Sequence, residues 1–121
     1  MAGRFPLFVD ACVRGPVVEA LVRRGWDAVR AVDAQGEGAK DLALFLEAAR
    51  LGRVFVTNDE PIHRIAREWL DKGRPFRMVF WPKRYDERLS AGEVVEAFEA
   101  LATADDDAFE YPIVYLKPRP H

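Results

Sequence analysis

Small uncharged polar residues are scarce in this sequence. Its 121 residues include one Asn, one Ser, one Gln and two Thr. Cysteine is equally rare. The single Cys12 excludes an internal disulfide and any cysteine-based metal cage, so folding needs no oxidising compartment. No apolar run approaches the ~20 residues that span a bilayer, and no basic start followed by an apolar core marks a leader. The expectation is a soluble, cytoplasmic protein with no membrane partner. What is present is globular: half the residues are hydrophobic and 31% are charged, enough for one domain over residues 1–121 around one core. The net charge of −2 is unevenly spread. Arg64, Arg67, Lys72, Arg74, Arg77, Lys83, Arg84 and Arg88 fall between Pro61 and Ser90, whereas every charge from Ala91 to Leu116 is negative. Segregation of this kind permits a basic face on a mildly acidic protein, although most such runs are solvated helix faces.

Against that scarcity, one stretch stands out. Arg53-Val54-Phe55-Val56-Thr57-Asn58-Asp59-Glu60-Pro61 reads as a buried strand that stops on a polar cluster before a proline opens a helix. The only Asn of the chain and one of its two Thr stand there beside an acid. Open α/β sheets place their ligands at such carboxyl ends. A helix cap explains one of the acids, Asp59 or Glu60, but not the whole Thr-Asn-Asp cluster.

The remaining chain alternates. Strands are expected over residues 5–9, 26–32, 76–81 and 113–116, and helices over 15–24, 41–51 and 61–72, with a further helix from a Ser90–Glu93 capping box. Val18, Leu21 and Val22 form the expected buried stripe of the first helix, and Leu42, Phe45, Leu46 and Ala49 that of the second. Residues 33–40, with Gly36 and Gly38, read as a loop. Alternation at these lengths gives an α/β fold: a mainly parallel five-stranded sheet between two helical layers. If Asp10 and Asp59 are to meet, the first and third strands must be neighbours, which gives the order 2-1-3-4-5, with the last strand parallel or antiparallel at an edge.

That topology gathers Asp10, Asp41 and Asp59 at one rim. Carboxylates so gathered repel one another unless protonated or bridged by a cation. Oxygen ligands with room for water suit Mg²⁺ or Mn²⁺ rather than zinc. Such a cation can activate water and neutralise a phosphoryl oxygen, which is what phosphodiester hydrolysis requires. Thr57 or Asn58 would orient the water or the phosphate. Asp41 is equally well placed as a helix cap. Cys12 reads as a small packed residue, and His63 and His121 carry no ligand spacing and no assigned role.

The pattern resembles the PIN-like family of short prokaryotic proteins related to the toxin ribonucleases of type II toxin–antitoxin modules. The resemblance is carried by Leu7-Phe8-Val9-Asp10, Arg24-Gly25-Trp26-Asp27-Ala28-Val29, Asp41 opening a helix, and Arg53 to Asp59, with Lys117 and Arg119 after the closing strand. It implies a PIN-type α/β/α sandwich, a divalent metal, endoribonuclease chemistry, a small antitoxin partner and a homodimer. Position by position it marks Asp10, Asp41 and Asp59 as metal ligands, with Thr57 and Asn58 beside them. The chain departs from the family pattern at Ala11 and Cys12, where Glu and Asn are usual. It departs again at Pro61 and Ile62, where a second Asp and a Phe are usual.

These departures motivate a second expectation, a non-catalytic PIN-like module that binds RNA or a protein partner. A receiver-like phosphoacceptor ranks third, because Ala11 and Trp81-Pro82 replace its paired acid and its hydroxyl. An RNA surface is expected from Arg64 and Arg67 on the third helix and from Lys83, Arg84 and Tyr85 beyond Trp81. In that stretch aromatics would stack and cations would meet phosphates. Burial in the core is the ordinary reading of Trp81.

Overall fold

A computed structural model describes residues 3–35, 40–104 and 106–118. Five strands form one sheet: β1 (Leu7–Val9), β2 (Ala28–Arg30), β3 (Val54–Thr57), β4 (Met78–Phe80) and β5 (Ile113–Tyr115). Their order is β2-β1-β3-β4-β5, and every pairing is parallel. The last strand is therefore a parallel edge strand, not an antiparallel one. Six helices cover the sheet: α1 (Gly15–Arg23), α2 (Ala31–Gln35), α3 (Asp41–Leu51), α4 (Glu60–Asp71), α5 (Lys83–Asp86) and α6 (Ala91–Thr103).

The period of two along β3 divides the core. Val54 and Val56 face one layer with Leu7, Val9 and Trp81, packed by Val17 and Leu21 of α1 and by Val94 and Phe98 of α6. Phe55 faces the other with Phe8, Met78 and Phe80, packed by Phe45 and Ala48 of α3 and by Ile62 and Ala66 of α4. Each buried side chain of this size stabilises by ~1.5–3 kcal/mol, so β3, buried at all four positions, anchors both layers. Two caps match the sequence. Ser90 and Glu93 form the capping box of α6, and Asp59 caps α4 by accepting from the Ile62 amide at 3.3 Å. Gly52, at φ 68°, closes α3 in the left-handed conformation that only glycine adopts cheaply.

Several expectations are corrected. The second strand is shorter than residues 26–32, because Trp26 is buried against Phe5 and Phe98 and the chain enters α2 at Ala31. Gly36 and Gly38 lie outside the described residues. α1 buries Val17, Val18 and Leu21 and leaves Val22 52% exposed. α3 buries Leu44, Phe45 and Ala48, leaving Leu42 and Leu46 exposed. Leucines on nearly every side of α3 allow two competing stripes, and only packing against β3 chooses between them. Among the described residues no helix is long and apolar enough to cross a membrane.

Candidate functional site

Because β1 and β3 are parallel neighbours, their carboxyl ends share one rim. The Asp10 amide extends the ladder by donating to the Val56 carbonyl at 3.0 Å, which turns its side chain toward Thr57. The Thr57 hydroxyl, fully buried, donates to Asp10 Oδ2 at 2.8 Å and accepts from the Asp59 amide at 3.0 Å. One hydroxyl thus ties the two strand-end acids together. Asp59 Oδ2 also caps α4, so the ordinary explanation for this acid holds alongside any other role.

Asp41 stands within electrostatic reach of both. Lys40 holds the cap position of α3 and no side chain caps that end, so Asp41 is not spent as a cap. Partial burial first, then the charges of Asp59 and Asp10, hold its carboxyl above the usual range. None of the three acids pairs with a cation among the described residues. Ionised Asp41 therefore opposes folding. That penalty is absent below the ordinary carboxylate range near pH 3.9 and is imposed as pH rises through the raised value. Asp41→Asn is expected to stabilise the fold at pH 7 by less than about 1 kcal/mol, since solvent screens the site. Urea unfolding at pH 7 and pH 3 checks this; the gain vanishes at the lower pH.

Cys12, expected as a small packed residue, is instead exposed beside this cluster. Its sulphur donates to Asp10 Oδ2 at 3.1 Å and lies 3.5 Å from the Thr57 hydroxyl. Partial desolvation of the sulphur, which faces Asp10 and Thr57 although the residue as a whole is exposed, is helped by the Asp10 charge and pushes its pKa up to about 12 against the opposing hydrogen bonds from Asn58 and Thr57. It is held as a thiol, not a thiolate. Iodoacetamide at pH 7.5 should therefore modify Cys12 at least tenfold more slowly in the folded protein than in urea. Equal rates would contradict this environment.

Asn58 is buried at 2% exposure, and its Oδ1 has no hydrogen-bond partner. An unpaired buried carbonyl oxygen costs about 1–3 kcal/mol, which asks for a ligand or a water. Among the described residues no group of three or more His, Cys, Asp or Glu could hold a metal ion. The three acids therefore share a rim without forming a closed cage. What the chain offers is the Asp10 carboxylate tied through Thr57 to the Asp59 main-chain amide, the Asp59 carboxylate on that same residue, a third acid nearby and an unsatisfied amide oxygen. The oxygens of this set are of the type that hard divalent cations take along with several waters, but among the described residues they do not close into a metal site.

A groove of about 520 Å³ opens over Cys12 and Asn58, walled by Lys83, Arg84, Asp86 and Glu87. Residues 83–86 form the short helix α5, with Arg84 and Arg88 over the Tyr85 ring at 4.9 and 6.0 Å. Trp81 is wholly buried and donates its indole N–H to Asp86 at 3.1 Å, so stacking in this stretch falls to Tyr85. Arg64 and Arg67 are exposed on α4, and Lys117 is exposed beyond β5. Arg119 lies outside the described residues.

The residue that sequence reasoning passed over is His63. Its ring stacks on Phe80 at 4.3 Å and 11°, with Nε2 2.8 Å from the Tyr115 hydroxyl and Nδ1 3.4 Å from Glu60. The three-residue step from Glu60 was the one local signal for it.

A family model described as a PIN like domain matches residues 6–73, the segment that holds Asp10, Asp41, Thr57, Asn58 and Asp59. No curated protein and no solved structure matches the chain.

Proposed function

We propose, since this chain belongs to the PIN-like domain family, that it is a metal-dependent endoribonuclease whose acids are Asp10, Asp41 and Asp59. One observation carries this reading most directly. The Thr57 hydroxyl joins the Asp10 carboxylate to the Asp59 main-chain amide, a third acid lies within electrostatic reach, and none of the three acids is neutralised by a cation among the described residues. A pocket so charged repels an approaching phosphodiester, so the chemistry calls for a divalent cation.

Asp10 and Asp59 would hold Mg²⁺ or Mn²⁺ through the oxygens not engaged by Thr57 and Ile62, and Asp41 would act from across the rim. The bound cation supplies charge neutralisation at the scissile phosphate and a lowered pKa for the attacking water. Thr57, donating to Asp10 and accepting from the Asp59 amide, fixes how the two acids face the substrate. Asn58 Oδ1 can accept a hydrogen bond from the attacking water and so orient it. Lys83 and Arg84, along the groove beside Asn58, would meet the flanking phosphates. A small protein inhibitor seated on this groove, and a homodimer, extend the same reading.

The second reading, a non-catalytic module, is favoured by one observation. Cys12, an exposed thiol hydrogen-bonded to Asp10, stands at one of the positions where the family pattern has Asn. The two separate in a single assay. Wild-type protein is incubated with single-stranded RNA in Mn²⁺ or in EDTA, beside Asp59→Asn. Internal cleavage in Mn²⁺, lost in EDTA and in Asp59→Asn, is expected. Metal-independent cleavage that Asp59→Asn does not change rejects the nuclease assignment. RNA binding without turnover in saturating Mn²⁺ selects the non-catalytic module.

A further inference from the structure

A second cavity, about 380 Å³, opens beside the acidic rim, at the carboxyl ends of β4 and β5. Its walls are rings. His63 and Phe80 form a stacked pair, and Tyr115 meets both edge-on at 5.4 and 6.1 Å. The 2.8 Å contact between His63 Nε2 and the Tyr115 hydroxyl, with Glu60 on the other ring nitrogen, holds the imidazole in one orientation. Two cations, Arg84 and Lys117, line the same space against one acid, Glu60. Arg67 also acts on Tyr115 through its charge. Arg84 borders both this cavity and the groove over Cys12 and Asn58. Glu60 directly follows Asp59, so the two spaces are neighbours along the chain as well.

We propose that this cavity is a nucleotide subsite. It takes one unpaired ribonucleotide, with the base against the exposed Tyr115 ring beside the stacked His63–Phe80 pair and the phosphate on Arg84 and Lys117. Rings and cations at close quarters are the combination that single-stranded nucleic acid requires, because every base has a stacking face and every nucleotide carries one charge. A base held in this way must be out of a duplex, so the strand passing the acids is single-stranded. The proposal rests on the ribonuclease reading for what happens next door, where the adjoining phosphodiester meets Asp10 and Asp59. It selects substrate by strandedness rather than by sequence, since stacking tolerates any base.

Binding is measured in EDTA, where no metal-dependent cleavage can occur, by anisotropy of a labelled oligouridine octamer. The His63 imidazole signals are followed by NMR during titration with uridine monophosphate. Arg84→Ala and Tyr115→Ala are each expected to weaken binding about fivefold or more. Arg84→Ala should also reduce the logarithmic salt slope by about 1. Both side chains are exposed, so the variants should fold, which thermal melts confirm. Arg50→Ala, which alters an exposed pair with Glu47 on α3, should leave binding unchanged. Equal octamer affinity in all variants with unmoved His63 signals overturns the subsite, even if metal-dependent cleavage stands. Weakened binding with shifted His63 signals supports it, even if no RNA is cleaved in Mn²⁺ and the nuclease assignment falls. A heptaglutamate peptide that moves the His63 signals while the octamer does not would overturn it in favour of an acidic protein partner.

Discussion

Asp10→Asn is expected to reduce metal-dependent RNA cleavage on the order of a thousandfold, or ~4 kcal/mol of barrier, while leaving the fold intact. The fold survives because the asparagine carbonyl can still accept from Thr57 and Cys12, the two partners of Asp10 Oδ2. On the proposed assignment activity does not, because the substitution removes a full negative charge from the rim proposed to hold a divalent cation. Single-turnover cleavage at saturating Mn²⁺, beside circular dichroism and urea unfolding, separates the two effects. A variant that loses both activity and structure would reduce Asp10 to a fold residue. One that keeps both would remove it from the site.

The largest loss of stability is expected at Trp81. Trp81→Ala should cost ~3–5 kcal/mol, a large share of the 5–15 kcal/mol that holds a domain of this size together. Trp81 is fully buried in the layer under α1 and α6, and its indole donates to Asp86, which also pairs with Arg14 Nε at 3.4 Å. Truncation leaves a cavity and strips Asp86 of one partner. The result should also loosen α5, which carries Lys83 and Arg84. Trp81→Phe keeps most of the volume and loses only the hydrogen bond, at about 1–2 kcal/mol. Urea unfolding of the two variants checks the ranking. A cost below about 1 kcal/mol for the alanine would show that the site collapses around the gap.

The sheet was legible because its signals were local. Val54-Phe55-Val56 reads as a doubly covered strand, βαβ connections make the sheet parallel, and the requirement that Asp10 and Asp59 meet makes the first and third strands neighbours. The strand order 2-1-3-4-5 is the one found. The faces of α1 and α3 were less legible, since apolar residues surround both helices and the register of packing is a tertiary choice. The candidate site was legible at the positions of its acids and only partly in its surroundings. The Thr57 bridge needs two strands 47 residues apart in sequence to be neighbours at the same rung. The contact between His63 and Tyr115 joins residues 52 apart. No spacing rule finds such pairs, so His63 looked idle. Asp41 was an ambiguous cap until Lys40 was found in the cap position.

The most direct measurement is Mn²⁺ anomalous density in crystals soaked at neutral pH. A peak within coordination distance of Asp10 and Asp59, facing Asp41 and completed by waters, is the predicted result. Crystals soaked in millimolar Mn²⁺ that keep all three carboxylates metal-free would contradict it.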